Sequence, residues 1–267
     1  MSKHSMTNEL RGFGTYCLTG DRLKNALRVA LCQGANLLDV AEAYKNLPEI
    51  CECIRTFEQN RPYQPPLMLF YKIWLFSGES ATQRVEHFRK AMLSDHFLIV
   101  AAHWPSSTEA ENFRLLEELI RLKENGIIQG VGLSNFSYEQ CRIAYQRYGN
   151  LIWGLESEMH PFYQNTERLL FCKDHGWKFV AASPLYRNQK RNLTLEEMAQ
   201  AHGISTQQIM LLWSKQCGAI PIPRSSNPEH IFNCLNLPPI HLSDKEMRVI
   251  STIPPIHHLS RICLGEN

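Results

Sequence analysis

An α/β fold in which eight strand–helix units close into one (β/α)₈ TIM barrel is the class this sequence predicts, and three observations predict it. Its short apolar runs are continuous rather than alternating, as parallel strands buried on both faces read. Amphipathic helical stretches separate those runs, so the connections are right-handed crossovers of a parallel sheet. The length of 267 residues is close to the usual size of one such barrel, about 250 residues. A single domain over 1–267 is expected, since no low-complexity linker or Gly/Ser tract divides the chain. The same pattern also allows an open doubly wound sheet.

Taken in order, the strands are read at 12–16, 36–40, 67–74, 97–104, 128–134, 152–159, 178–184 and 219–223. Helical patterns lie between them at 21–33, 47–59, 80–94, 107–125, 138–148 and 166–175, with one longer stretch at 195–216. After the eighth strand Ser226 or Asn227 can cap a helix, and Pro228 suits its first turn. Pro238-Pro239 and Pro254-Pro255 set off a C-terminal helical segment from about 240, with one short helix over 243–252. That segment is expected to pack on the outside of the barrel.

Composition narrows the partners. Lys plus Arg (28) nearly balance Asp plus Glu (26), so no broad field attracts nucleic acid or a membrane surface. Nine cysteines lack the paired spacings of a zinc ribbon or a disulfide framework, and free thiols in a reducing compartment are expected. The first residues, MSKHSMTNELRG, carry no apolar signal core, and no stretch of about 18 apolar residues could span a bilayer. A soluble, cytoplasmic monomer acting on a small molecule, with no metal, is the expectation.

In a parallel barrel all strands end on one face, so the ends of strands two, three and four become neighbours. Asp39 ends LLDV, Lys72 interrupts LMLFYKIW, and His103 ends FLIVAAHWP. A lysine in an apolar run costs several kcal/mol to bury unless an opposite charge offsets it, and Asp39 is the candidate partner. Taken alone, these two read equally as an ion pair without chemistry, and His103 alone reads as a structural histidine. Tyr44, five residues beyond Asp39 in DVAEAY, adds a phenol above the barrel mouth. An adjacent ammonium lowers the pKa of a phenol, so Lys72 is expected to make Tyr44 a better acid. Together the four residues form a candidate proton-donating unit.

This arrangement resembles the aldo-keto reductase family, in which Asp, Tyr, Lys and His follow in this order at very similar spacing. GFGTY, DVAEAYKN, AAHWP, GVGLSNF, SPL and IPIPRSSNPEHI are similar to six of its signatures, in the right order over nearly the whole chain. The resemblance implies an NADPH-dependent oxidoreductase that reduces aldehydes or ketones to alcohols. Tyr44 would donate the proton, Lys72 would tune it, Asp39 would hold Lys72, and His103 would orient the carbonyl. It further implies NADPH contacts from Gly14, Thr15, Ser134, Asn135, Glu156, Ser183, Leu185, Arg224, Ser225 and His230.

The Rossmann fingerprint is absent. A phosphate would instead sit near Arg224 and Ser225, at a helix start rich in unpaired N–H donors. Four positions depart from the family pattern: Glu156 replaces a glutamine, Ala182 an aromatic, His230 an arginine and Cys234 an asparagine. An ionised Glu156 accepts a hydrogen bond but cannot donate one. Weakened or altered nucleotide binding is therefore expected. Tyr16, Trp74, Phe76 and Trp104 are expected to line an apolar substrate pocket. Two alternatives stay open: a nucleotide-binding sensor with little turnover, and a Schiff-base lyase using Lys72.

Overall fold

In the computed structural model, which describes residues 9–60, 67–74, 79–92, 95–185 and 192–255, eight strands form one sheet in sequential order. They are β1 (Gly12–Gly14), β2 (Leu37–Ala41), β3 (Met68–Ile73), β4 (Phe97–Ala102), β5 (Gly130–Ser134), β6 (Ile152–Glu158), β7 (Lys178–Ala182) and β8 (Ile220–Pro221). Every neighbouring pair is parallel. The Gly14 amide donates to the Pro223 carbonyl at 3.0 Å, which brings the first strand against the end of the eighth. Sequential order and this contact make a barrel, not an open doubly wound sheet.

The surrounding helices are α1 (Gly20–Cys32), α2 (Leu47–Asn60), α3 (Ala81–Met92), α4 (Glu109–Glu124), α5 (Tyr138–Tyr148), α6 (Thr166–Asp174), α7 (Leu193–His202), α8 (Thr206–Gln216), α9 (Pro228–Leu235) and α10 (Asp244–Ser251). The single stretch expected over 195–216 is two helices. Gly203 takes the left-handed conformation at φ 66, and Ser205 opens α8 with a capping box to Gln208, so the chain stops and restarts within three residues. Helix α10 is tied back by His202 Nε2 to Glu246 Oε1 at 2.6 Å and by Gln164 Nε2 to the Ile250 carbonyl at 2.9 Å. Among the described residues no helix is long and apolar enough to cross a membrane, and the eight described cysteines are free.

Strand alternation sorts side chains into two cores. Outward residues such as Leu38, Val40, Leu69, Tyr71, Val100, Leu133 and Leu155 pack under the helices. Inward residues Leu37, Met68, Phe70, Ile99, Ala101, Val180 and Ile222 fill the barrel. Gly132 is needed inside: a Cβ there would lie 2.8 Å from the Phe70 ring, so the ring occupies the space the glycine leaves. On β2, β3 and β6 the next inward residues toward the strand ends, Asp39, Lys72 and Glu156, are no longer apolar.

Candidate active site

Asp39 on β2, Lys72 on β3 and Glu156 on β6 all point into the upper barrel and are almost fully buried, at 3%, 1% and 3% exposure. The Lys72 Nζ lies 2.6 Å from Asp39 Oδ1 and 2.5 Å from Glu156 Oε1. It also donates to the Tyr44 hydroxyl at 2.8 Å, and that hydroxyl donates to Asp39 Oδ2 at 3.2 Å. His103, buried at the end of β4, stands edge-on to Tyr44 with ring centroids 5.9 Å apart. The four residues singled out from the sequence are therefore brought together, with Glu156 as a fifth member across the barrel.

The phenol reaches this cluster because β2 ends in a 3₁₀ turn, Glu42–Tyr44, closed by Lys45 in the left-handed conformation at φ 54. Glu42 anchors the turn: its carboxylate accepts from the Tyr71 hydroxyl at 3.1 Å, the Trp74 amide at 3.0 Å and Arg84 Nη1 at 3.0 Å. Below it, Asn46 Nδ2 donates to the Thr15 and Leu18 carbonyls at 2.9 and 2.8 Å. The charge-assisted hydrogen bonds of Glu42 fix the turn more firmly than the neutral ones of Asn46. Glu42 and Arg84 are support that sequence reading missed. The signal available was a glutamate two residues before the candidate phenol.

Burial governs the protonation states. It opposes the charge on Lys72, but Asp39 and Glu156 hold the ammonium well above the usual lysine range. It pushes the Tyr44 phenol well above its ordinary value, Asp39 adds to that, and Lys72 opposes it without prevailing. Lys72 lowers the phenol's pKa as expected, but desolvation outweighs the ammonium, so the net value lies above the ordinary one and not below it. Burial, then the charge of Asp39, pushes Glu156 up to about 8. That direction favours the protonated carboxyl, which can donate a hydrogen bond as well as accept one. His103 is pushed down to about 2 by burial and by Lys72, so its ring is neutral.

These groups form the floor of a cavity of about 520 Å³, lined also by Tyr16, Trp74, Trp104, Gly14, Asn135, Ala182, Ser183, Leu185 and Arg224. That volume suits a small organic molecule. Phe76 lies outside the described residues. Thr15, Ser134, Ser225 and His230 do not line the cavity. The Thr15 hydroxyl donates to the Asp39 carbonyl at 2.7 Å, and Ser134 Oγ accepts from Asn135 Nδ2 at 3.0 Å. Ser225 Oγ accepts from the Asn227 amide at 3.0 Å, while His230 is exposed in the first turn of α9. Asn227 caps that helix, accepting from the Glu229 and His230 amides at 2.9 and 3.4 Å. Two of the N–H donors expected to be free are therefore already taken. Cys234 sits within α9, half-buried.

An eight-stranded parallel barrel with an ammonium, a phenol, an imidazole and carboxylates gathered where its strands end belongs to the barrels that work on small molecules in the mouth. The aldo/keto reductase family model matches residues 12–253, and the chain belongs to that family. It is 28% identical to the glycerol 2-dehydrogenase (NADP(+)) of Hypocrea jecorina over 92% of this chain and 89% of that protein. It is 27% identical to the 2,5-diketo-D-gluconic acid reductase B of a Corynebacterium strain, over 82% of this chain and 79% of the other. Among solved structures, the aldose reductase of Schistosoma japonicum superposes with a TM-score of 0.85 at 21% identity, covering 94% of this chain and 90% of that one.

Proposed function

We propose that the protein is an NADPH-dependent carbonyl reductase that converts aldehydes or ketones to alcohols, with Tyr44 as the proton donor. The observation that carries this reading is the 2.8 Å contact between the Tyr44 hydroxyl and the Lys72 ammonium at the floor of an organic-sized cavity. In the resting site the raised pKa keeps the phenol protonated until a carbonyl oxygen takes the proton. The ammonium then stabilises the phenolate left behind. Asp39 holds Lys72 in place, and the neutral His103 ring can donate a hydrogen bond that orients the carbonyl oxygen. Buried atoms at the floor without a hydrogen-bond partner among the described residues, His103 Nδ1 and Glu156 Oε2, suit a polar ligand.

The cavity edge fits the cofactor. Asn135, Ser183 and Arg224 supply polar and cationic groups there, with Asn135 and Ser183 held in the left-handed conformation at φ 63 and φ 49. Gly14 has no side chain to obstruct the approach, and these residues with Glu156 and Leu185 would hold NADPH. When bound, it supplies the hydride. Arg224, close to the start of α9, favours a phosphorylated nucleotide. Ala182 offers no aromatic face, so binding rests on these polar contacts. Tyr16, Trp74 and Trp104 favour carbonyls with an apolar substituent.

Lys72 between two carboxyls remains an ammonium, a poor nucleophile, which counts against a Schiff-base lyase. NADPH fluorescence titration followed by consumption assays with an aldehyde panel that includes 4-nitrobenzaldehyde tests the proposal. Saturable binding with carbonyl-dependent oxidation is expected. Binding without oxidation for any carbonyl would instead favour the sensor, and borohydride trapping of a Lys72 adduct without nucleotide would favour the lyase.

A further inference from the structure

Glu156, placed above among the residues that would hold NADPH, also reaches the catalytic amine. Glu156 lies on β6, 84 residues from Lys72 and on the opposite wall of the barrel. Its Oε1 is nevertheless 2.5 Å from Nζ, closer than the Asp39 oxygen at 2.6 Å. The other oxygen, Oε2, is buried and has no hydrogen-bond partner among the described residues. A structural ion pair needs one carboxylate for one ammonium, and here two carboxyls share a single amine, all three almost fully buried at the cavity floor.

The groups that face Glu156 can be named from each element around it. They are Asp39 from β2, Lys72 from β3 and Tyr44 from the turn after β2, while His103 from the end of β4 lines the same cavity. β5 and β7 present Ser134 and Val180 at the paired positions, neither of which titrates. Glu158 lies two residues along β6, beside His160 with Nε2 at 2.9 Å from Oε1, and Arg224 stands at the cavity edge. With both Asp39 and Glu156 ionised, one ammonium leaves a buried negative charge, and two carboxylates sharing a site do not both ionise readily. One retained proton makes the cluster neutral. The direction of the Glu156 shift agrees with this count.

We propose that Glu156 holds this proton and supplies it, through Lys72, to restore the Tyr44 hydroxyl after each turnover. The inference rests on the reductase reading above. After the phenol O–H bond breaks toward the carbonyl oxygen, a phenolate remains. A Lys72 N–H proton crosses the 2.8 Å hydrogen bond to that oxygen; the neutral amine left behind no longer needs to donate to Glu156 Oε1 at 2.5 Å and accepts the Glu156 O–H proton in its place. Only O–H and N–H bonds change and no electrons are transferred. Glu156 ends as a carboxylate and regains its proton from solvent water through the cavity it lines. Because it acts through Lys72 and does not touch the carbonyl, Glu156 is a positioning residue.

The test is an infrared pH titration of the unliganded protein, wild type and Glu156→Gln, paired with the pH profile of kcat. The wild type should show the carbonyl-stretch band of a protonated buried carboxyl at neutral pH. That band should vanish on titration through about 8 and be missing from Glu156→Gln. The kcat of the wild type should fall over the same alkaline range, and that limb should be lost in the variant. No such band, a band unchanged by Glu156→Gln, or an unchanged pH profile in the variant overturns the proposal. The wild-type titration decides the protonation state even if the variant does not fold. It needs neither cofactor nor substrate, so failure of the reductase reading would be seen separately, as no NADPH oxidation with any carbonyl.

Discussion

The lower and upper halves of the barrel interior are made by the same strands and the same alternation, yet they are held by opposite physics. Below, Leu37, Met68, Phe70, Ile99, Val180 and Ile222 gain from leaving water, about 1.5–3 kcal/mol for each large side chain. Above, Asp39, Lys72 and Glu156 lose hydration on burial, and only their mutual contacts offset a cost of several kcal/mol per ion. The boundary falls within β3, where Phe70 and Lys72 are successive inward residues. The lower layer needs no partner of particular charge, whereas each upper group depends on the others. Stability is therefore distributed below, and the capacity for chemistry is concentrated above.

Substitutions on either side of that boundary should test the contrast. Lys72→Met removes the one ammonium and leaves two carboxyls facing each other, so it should destabilise the fold by about 3–5 kcal/mol and abolish turnover. Because protonation relieves the unpaired carboxylates, this cost should shrink as pH falls. Phe70→Ala should destabilise by a similar amount, about 3–5 kcal/mol, with no pH dependence and with turnover per folded molecule retained. Urea unfolding at several pH values, with activity on the folded fraction, distinguishes the two. Equal pH dependence in both variants would erase the distinction.

A smaller effect concerns Glu156 itself. Its carboxyl titrates at about 8 in the fold against 4.5 for the ordinary group, so the folded state binds the extra proton between those values. Stability of the wild type should fall as pH rises through that window, with the loss complete above about 8. Glu156→Gln should lack this decline, so the two unfolding curves should diverge toward alkaline pH. His103 works in the other direction. Its pKa is about 2 in the fold against 6.5 ordinarily, so acidification below 6.5 should destabilise the wild type as unfolding lets the ring take a proton.

The sequence disclosed the barrel because strands buried on both faces leave continuous apolar runs, and it disclosed the cluster because Asp39, Lys72 and His103 interrupt such runs at their ends. What remained hidden needs three-dimensional register. Glu156 stood out as a departure from the family pattern, but its contact with Lys72 crosses from β6 to β3 and depends on how the barrel closes. The raised pKa of Tyr44 is not legible in the sequence, because local order names its neighbours without giving the depth of burial, which dominates here. The break between α7 and α8 was readable in Gly203 and Ser205, yet the apolar periodicity runs through it.

Single-turnover oxidation of NADPH by 4-nitrobenzaldehyde, followed in wild type and Tyr44→Phe under identical conditions, tests the upper layer most directly. The account predicts that both bind NADPH and keep the same circular dichroism, while Tyr44→Phe loses at least about 10²-fold in the rate of hydride transfer. Wild-type rates in Tyr44→Phe would contradict it.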